Sequence, residues 1–247
     1  MHVSNRQLAD ILGVKVDRIS MPEALDTLEL FIRQRRPHII ATANAEMVMT
    51  AQDDKELLDV LNAADLVLPD GAGVVWAARK LGFAVPERVA GYDLTQRLLQ
   101  LAARSGYRIY WLGASPGIAE AAAAKAGEIC PGLISVGIRN GYFAPDDSAV
   151  LQEIVEAKPD ILLCALGVPK QEKWLARNFS TLNVPVMIGV GGTFDVMAGK
   201  VTRAPLWMQH SGLEWLYRLL CQPSRFVRML ALPRFVARVL AAAWTTR

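Results

Sequence analysis

The sequence has few of the residues that hold together small secreted domains or metal sites. It contains three cysteines in 247 residues, Cys130, Cys164 and Cys221, and no Cys-x-x-Cys pair. Its three histidines are scattered as well. An odd number of widely spaced cysteines argues against a disulfide framework or a zinc site. We therefore expect a protein of a reducing cytoplasm.

Long apolar runs are also missing. Residues 1–6 are not followed by the continuous apolar segment of a secretory signal. No uncharged apolar run of about 18 residues occurs, because Arg225, Arg228, Arg234 and Arg238 interrupt the one candidate region. We expect a chain that is neither exported nor threaded through a bilayer.

Several nucleotide-binding motifs are absent. The segment Gly71–Trp76 lacks the third glycine of Gly-x-Gly-x-x-Gly, and the Walker motif Gly-x-x-x-x-Gly-Lys-Ser/Thr does not occur. Dinucleotide and ATP binding are therefore disfavoured. No Asp-x-Asp pair, which holds a metal in many sugar-nucleotide enzymes, occurs either. Ser115 has no histidine nearby in the sequence, so a serine hydrolase is poorly supported.

The charge is concentrated at one end of the chain. The formal net charge is only +3, but from Arg203 onward there are seven arginines, no lysine and a single acidic residue, Glu214. So small a net charge does not indicate nucleic-acid binding. Arginine, leucine and aromatic residues mixed along helical patterns are typical of a helix in a membrane interface. A core-packing or oligomer-forming helical tail is the alternative.

Short apolar runs alternate with helix-length segments over most of the chain. The predicted strands are Ile39–Ala43, Leu66–Leu68, Ile109–Leu112, Leu133–Ile138, Ile161–Leu166 and Val186–Val190. The predicted helices are about 21–35, Asp53–Ala64, Ala72–Leu81, Leu94–Ser105, Gly117–Ile129, Ser148–Ala157 and Lys170–Phe179. This alternation predicts an α/β fold, a Rossmann-like, mainly parallel sheet with helices on both faces. We divide the chain into a catalytic α/β domain, 1–202, and a helical C-terminal appendage, 203–247.

In an open parallel sheet, ligands bind at the carboxyl ends of the strands. Gly113–Gly117 and Gly189–Gly192 follow predicted strands and are rich in glycine. Such turns bring backbone N–H groups and a helix N-terminus against a phosphate, although glycine also serves simply in a tight turn. Either segment suits a nucleotide diphosphate.

Asp70 follows a strand and a proline and precedes Gly71. Taken alone, this is also the pattern of an ordinary turn. At the same sheet edge as the glycine turns, however, a carboxylate is well placed to accept a proton from an attacking hydroxyl. Without a metal, the leaving diphosphate needs arginines, and Arg88 and the C-terminal arginines are available.

Several segments together resemble the WecG/TagA/CpsF family of glycosyltransferases over nearly the whole chain. The segments that carry the resemblance are Thr42–Glu46, Leu68–Gly71, Glu87–Gly91, Gly141–Phe143, Ala165–Trp174, Gly189–Asp195 and Glu214–Arg218. The resemblance implies inverting transfer of N-acetylmannosamine from UDP-N-acetylmannosamine to undecaprenyl-diphosphate-linked N-acetylglucosamine, which forms the linkage disaccharide of wall teichoic acid. It implies no required metal or other cofactor.

The resemblance also implies roles for individual residues. Asp70 would be the general base and Arg88 would lie beside the diphosphate. The appendage would supply Arg218, Arg225 and Arg228 and dock on the inner face of the cell membrane, so that the protein is cytoplasmic and peripherally associated. The substrate-binding residues would be Thr42, Asn44, Gly71, Gly113, Gly167, Gln171, Gly191, Gly192 and Asp195.

Three other readings stay open at this point. The nearest keeps the family and the lipid acceptor but uses another donor, UDP-N-acetylmannosaminuronic acid or UDP-glucose, for a different surface polysaccharide. A membrane-bound protein that binds UDP without chemistry is a second, which Asp70 and Arg88 disfavour. A nicotinamide oxidoreductase is a third, and the missing glycine fingerprint counts against it.

Overall fold

The computed structural model describes residues 6–144, 146–221 and 226–245, with only the backbone described at His210, Arg218, Val227 and Arg228. The strands are β1 (Leu8–Ile11), β2 (Val14–Asp17), β3 (Ile39–Ala43), β4 (Leu66–Pro69), β5 (Arg108–Gly113), β6 (Ile134–Arg139), β7 (Ile161–Ala165) and β8 (Val186–Gly189). The helices preceding β7 are α1 (Met21–Gln34), α2 (Ala45–Asp53), α3 (Lys55–Ala63), α4 (Ala72–Lys80), α5 (Gly91–Ser105), α6 (Ile118–Ile129) and α7 (Ser148–Ala157). Those that follow are α8 (Lys170–Arg177), α9 (Phe179–Leu182), α10 (Thr193–Met197), α11 (Leu206–His210), α12 (Glu214–Cys221), α13 (Phe226–Met229) and α14 (Ala231–Thr245).

Six of the strands form one parallel sheet in the order β4-β3-β8-β7-β5-β6. All six predicted strands are present, and no strand end is shifted by more than one residue. Strands β3, β4, β7 and β8 are buried along their whole length. Burial on both faces is the reason why these strands are continuous apolar runs rather than alternating ones. The predicted mainly parallel α/β fold is confirmed.

The sheet separates two hydrophobic cores. One face carries Ala41, Val67 and Leu162 and is covered by α2, α3, α4, α7 and α8. Ile40 and Leu163 point to the other face, which α1, α5, α6 and α10 cover. Neighbouring residues of a strand project to opposite faces, so the predicted arrangement of helices on both sides is also confirmed.

Two elements at the N-terminal side escaped the sequence prediction. The antiparallel hairpin β1-β2 turns through Leu12 and Gly13, both with positive φ. Helix α2 begins directly after Asn44, whose side-chain oxygen accepts a hydrogen bond from the Met47 N–H at 2.9 Å. The hairpin is only four residues per strand, and α2 has a mixed composition, so neither has a strong periodic pattern. By contrast, the predicted helix α1 is present and begins with a capping box, in which the Ser20 N–H donates to Glu23 at 2.8 Å.

The C-terminal region continues as helices, as predicted. Helix α14 packs against α2 and α4, and its Phe235 and Val239 belong to the same buried core as strand residues of the sheet. Phe235 also passes over Gly73 at the start of α4. The last helix therefore closes one side of the site described below. The boundary between residues 202 and 203 stays a prediction.

Candidate functional site

The carboxyl ends of β3, β4, β7 and β8 meet at one edge of the sheet and enclose two adjoining cavities. We call them the small cavity, of about 160 Å³, and the large cavity, of about 600 Å³. They share five lining residues, Asn44, Glu46, Asp70, Gly91 and Tyr92. Asp70, the predicted catalytic carboxylate, therefore lies on the wall between two spaces that a donor and an acceptor could enter from different sides.

The small cavity is formed by the segments that follow β3, β7 and β8. It contains five of the predicted substrate-binding residues beside Asn44, namely Thr42, Gly167, Gln171, Gly191 and Gly192. Gly167 (φ 80°) and Gly191 (φ 52°) adopt left-handed backbone conformations that favour glycine. These segments lead into α8 and α10, so backbone N–H groups at helix starts border this cavity.

Gln171 ties two of these segments together. Its side-chain oxygen accepts hydrogen bonds from the N–H groups of Gly167 and Gly191, each at 3.1 Å. The same side chain donates from Nε2 to the Glu172 carboxylate at 2.7 Å. Burial raises the pKa of Glu172 to about 7, and the hydrogen bond from Gln171 opposes only part of that rise.

Asp70 is held at the end of β4 by the backbone. Its N–H donates to the Ala43 carbonyl at 2.9 Å, and the Val89 N–H donates to the preceding Pro69 carbonyl at 2.9 Å. Gly91 lies against the carboxylate: a Cβ built on Gly91 would be 3.5 Å from Asp70 Oδ2 and 3.2 Å from Thr42 Cγ2. The absence of a side chain at Gly91 therefore leaves room for Thr42 and Asp70, which both lie against it.

The large cavity joins the sheet edge to the appendage. Gly71, Ala72 and Gly73 contribute the N-terminus of α4 to it. Gly71 has a φ of 92°, which other residues rarely adopt. The opposite wall is apolar and comes from the appendage, with Trp215, Met229, Leu232, Pro233, Phe235 and Val236. This cavity therefore combines a polar, catalytic end with an apolar lining.

A series of charged side chains beside the large cavity links the α/β domain to the appendage. Arg88 donates from Nη2 to Glu214 Oε2 at 3.1 Å, and Arg203 Nε lies 3.7 Å from Glu214 Oε1. Arg203 also makes a bidentate pair with Asp93, at 2.5 and 2.9 Å. Its guanidinium carbon is 4.7 Å from the centre of the Tyr92 ring.

The surroundings of Asp93 and Arg203 favour the charged form of each side chain. Burial by itself would raise the pKa of Asp93, but the hydrogen bonds and charge of Arg203 outweigh it, and the pKa is lowered. Burial likewise opposes the positive charge of Arg203, and the Asp93 carboxylate reverses that effect, so its pKa is raised. The two groups therefore stay ionised as a partly buried pair.

The remaining predicted site residues either line neither cavity or have side chains that the structure does not describe. Gly113 and Asp195 do not line either cavity within the described ranges. Gly113 passes so close to β7 that a Cβ would lie 2.5 Å from the Ala165 backbone, and Asp195 is 3.7 Å from Lys200. Arg218 and Arg228 lie in α12 and α13 with side chains outside the description, and Arg225 lies outside the described residues. Their predicted roles stay predictions.

Four residues at or next to the site were not predicted from the sequence as site residues: Glu172, Tyr92, Asp93 and Arg203. No pattern in the sequence indicates that Glu172 is buried, since a glutamate in an amphipathic helix is ordinarily exposed. The isolated Glu214 among arginines was noticed, but its partner was not. Among the described residues, no three histidine, cysteine, aspartate or glutamate side chains come together as metal ligands.

Comparison with known proteins gives a consistent result. The sequence model described as "Glycosyl transferase WecG/TagA/CpsF family" matches residues 9–247. A relative from Bacillus subtilis (strain 168) is 37% identical over 217 residues, 87% of this chain and 84% of the relative. One from Staphylococcus aureus (strain NCTC 8325 / PS 47) is 32% identical over 241 residues, 97% of this chain and 94% of the relative. Both relatives are named N-acetylglucosaminyldiphosphoundecaprenol N-acetyl-beta-D-mannosaminyltransferase.

Proposed function

This chain belongs to the WecG/TagA/CpsF family of glycosyltransferases, and from that premise we propose that it transfers N-acetylmannosamine from UDP-N-acetylmannosamine to undecaprenyl-diphosphate-linked N-acetylglucosamine. The observation that carries the proposal is the position of Asp70 on the wall shared by two cavities of different character. The names of the relatives supply the donor sugar and the acceptor.

The nucleotide end of the donor enters the small cavity and the rest extends past Asp70. This assignment is supported by the polar lining residues Thr42, Asn44 and Gln171. It is also supported by the glycine segments before α8 and α10, which bring backbone N–H groups to the cavity. Because the two cavities share lining residues, one sugar nucleotide can reach from the first into the second.

The acceptor enters the large cavity from the side of the appendage. An N-acetylglucosamine carried on a polyprenyl diphosphate has a polar head, a doubly charged linker and an apolar chain. The large cavity has the Asp70 carboxylate in its lining together with apolar side chains, among them Trp215, Leu232 and Phe235. A lining with both characters suits the sugar and the polyprenyl chain of one acceptor.

The reaction is a single displacement at the anomeric carbon of the donor. An acceptor hydroxyl oxygen forms the new bond to that carbon as its proton passes to the Asp70 carboxylate, and the bond to the UDP oxygen breaks. Attack opposite the leaving group inverts the configuration. Arg88 and the appendage arginines Arg218, Arg225 and Arg228 stabilise the charge that gathers on UDP.

Metal-independent transfer is part of the proposal. Guanidinium groups are always charged and offer paired donors to phosphate oxygens, so they can replace a cation at the leaving group. Support comes from the arginine-rich appendage and from the absence of an Asp-x-Asp pair in the sequence.

The appendage holds the protein on the inner face of the cell membrane, where its acceptor lies. Among the helices of the described ranges, none is long and apolar enough to cross a bilayer. The support for surface attachment is a set of large apolar side chains left in contact with solvent on the appendage, Leu206, Trp207, Leu220, Phe226 and Trp244. Arginines Arg234 and Arg238 of α14 accompany them and suit anionic lipid head groups.

One assay tests donor, acceptor, metal and base together. Purified protein is incubated with a short-chain lipid-diphosphate N-acetylglucosamine and UDP-N-acetylmannosamine, UDP-N-acetylmannosaminuronic acid or UDP-glucose, with and without EDTA, and UDP release is measured. We expect turnover with UDP-N-acetylmannosamine that EDTA leaves unchanged. Preference for another donor would replace the sugar in the proposal, and loss of activity in EDTA would remove its metal-independent part.

The variant Asp70→Asn tests the base. Turnover should fall by at least about 100-fold, while UDP still binds. Asp59→Asn, at an exposed carboxylate of α3, is the matched control and should behave like the wild type. Near-normal turnover of Asp70→Asn would overturn the assignment of the general base.

A further inference from the structure

Glu172 is the most unusual buried group next to the small cavity. It is 2% exposed, and among the described residues its Oε2 atom has no hydrogen-bond partner. The other carboxylate oxygen accepts the hydrogen bond from Gln171 Nε2 at 2.7 Å. A buried carboxylate with an unpaired oxygen is costly, which suggests that Glu172 has a functional role.

The hydrogen bond to Glu172 determines which way the Gln171 amide faces. With Nε2 directed at a carboxylate, the amide oxygen must point to the N–H groups of Gly167 and Gly191. The reversed amide would place its NH₂ group against two donors and its oxygen against the carboxylate. Glu172 thus makes one orientation strongly preferred.

Gly189 gives the amide the space that it needs. A Cβ on Gly189 would lie 2.5 Å from Gln171 Nε2 and 3.0 Å from Glu172 Oε1. Residue 189 ends β8, two residues before Gly191. The strand, the amide and the carboxylate therefore form one close-packed unit beneath the small cavity.

We infer that Glu172 is a positioning residue of the small cavity, which acts through Gln171 to hold the segments after β7 and β8 at the separation that the nucleotide requires. This inference rests on the proposed function, because it takes the small cavity as the site of UDP. Glu172 itself does not line the cavity and touches it only through Gln171. Its expected effect is on donor binding, with little change in acceptor binding.

Among the described residues, charged side chains around α8 form ion pairs with one another and not with Glu172. From β7, the Cys164 thiol faces it, and the pKa of that thiol is raised by burial and by the Glu172 charge. Strands β3 and β8, which also contact α8, carry no titratable side chain. From α3, Glu56 pairs instead with Lys173 and Arg177, and Lys173 also pairs with Asp54.

The test measures binding of UDP by calorimetry, with folding checked by circular dichroism, in two variants of Glu172. Glu172→Met keeps a similar length but removes the acceptor, and we expect the Kd for UDP to rise about tenfold or more. Glu172→Gln keeps an oxygen for Gln171 and should remain within about threefold of the wild type. The KM for the lipid acceptor should stay within about twofold in both, which a general loss of structure would not produce.

Gly189→Ala approaches the same amide from the other side and remains informative if Glu172→Met does not fold. Its Cβ meets the end of a flexible side chain, so the fold should tolerate it, whereas the Gln171 amide must move. We expect weaker UDP binding here too. Wild-type UDP affinity in Gly189→Ala or in a folded Glu172→Met would overturn the inference.

Gly192→Phe separates this inference from the proposed function. Gly192 lines the small cavity with an ordinary φ of −78°, and a Cβ there meets no atom within 4 Å. A phenylalanine should therefore crowd the rim of the cavity without straining the backbone and weaken UDP binding. If Gly192→Phe binds UDP like the wild type, the donor site is wrong. If it binds UDP more weakly while Glu172→Met keeps wild-type affinity, only the role of Glu172 fails.

Discussion

Arg88 and Glu214 are 126 positions apart in the sequence and form an ion pair of 3.1 Å beside the large cavity. Both side chains are mostly buried, at 21% and 15% exposure. Arg88 comes from the core and Glu214 from the first turn of α12 in the appendage. Arg88 is the cation that we propose faces the diphosphate. Its position therefore depends on the placement of the appendage, which carries Glu214.

Removing the charge of Glu214 should therefore slow the transfer step. In Glu214→Gln, Arg88 loses its ionic partner and Arg203 loses a nearby carboxylate, so we expect kcat/KM for the lipid acceptor to fall about five- to tenfold. Steady-state kinetics at low and high salt measure it, and added salt should reduce the difference from the wild type. Glu120→Gln, at an exposed glutamate of α6, is the control. An unchanged kcat/KM would show that Arg88 needs no such partner.

Substitution of Gly91 should disturb the base without removing it. In Gly91→Ala the new methyl group would be 3.2 Å from Thr42 Cγ2, so Thr42 must shift by a few tenths of an ångström. The same methyl group would be 3.5 Å from Asp70 Oδ2, in direct contact with the base. We expect kcat to fall about tenfold or more, because catalysis is sensitive to small displacements, with the Kd for UDP changing less. Gly127→Ala is the matched control, since a Cβ there meets nothing within 4 Å. Wild-type kcat in Gly91→Ala would contradict this account of how Thr42 and Asp70 pack against Gly91.

Glu172 should give the protein a distinctive dependence of stability on pH. Burial raises its pKa in the folded protein to about 7, from an ordinary value of 4.5. Between these values the unfolded chain loses the proton and the folded protein keeps it. The stability that this group contributes is therefore full below pH 4.5 and is lost as pH rises through 7.

Glu172→Gln removes that dependence. Denaturant unfolding of both proteins at a series of pH values should show the variant gaining stability relative to the wild type as pH rises. The slope is at most about 1.4 kcal/mol per pH unit. A difference between the two proteins that is constant over this window would mean that Glu172 titrates normally.

Loss of exposed tryptophans on the appendage should reduce membrane binding. Trp207 and Trp244 are 63% and 85% exposed, and an aromatic side chain inserted at the interface contributes to attachment. We expect Trp207→Ser/Trp244→Ser to bind vesicles containing anionic lipid about tenfold more weakly in a co-flotation assay. Ile129→Ser, an exposed apolar side chain of α6, is the control. Equal flotation of the double variant and the wild type would place the docking surface elsewhere.

Much of the fold was predictable because its signals are local. Strands such as Ile39–Ala43 and Ile161–Ala165 are almost entirely apolar. Such a composition is expected of strands that are buried on both faces. Helix α2 was missed because its composition is mixed, and the β1-β2 hairpin because its strands are too short for periodicity to stand out. The split between α8 and α9 near Asn178 was missed for the same reason.

For the site, the order of residues along the chain was enough to show which of them follow the strands. Parallel strands bring their carboxyl ends to one edge, and so Thr42, Asn44, Asp70, Gln171 and the glycines of 189–192 could be proposed together. The surroundings of these residues depend on tertiary packing: Glu214 lies against Arg88, Arg203 lies on Asp93 and Tyr92, and Glu172 is buried beneath Gln171. These contacts join residues from separate elements, or depend on which face of a helix is covered. The contacts and the covered faces both result from packing of the whole chain, so no local pattern of residues predicts them.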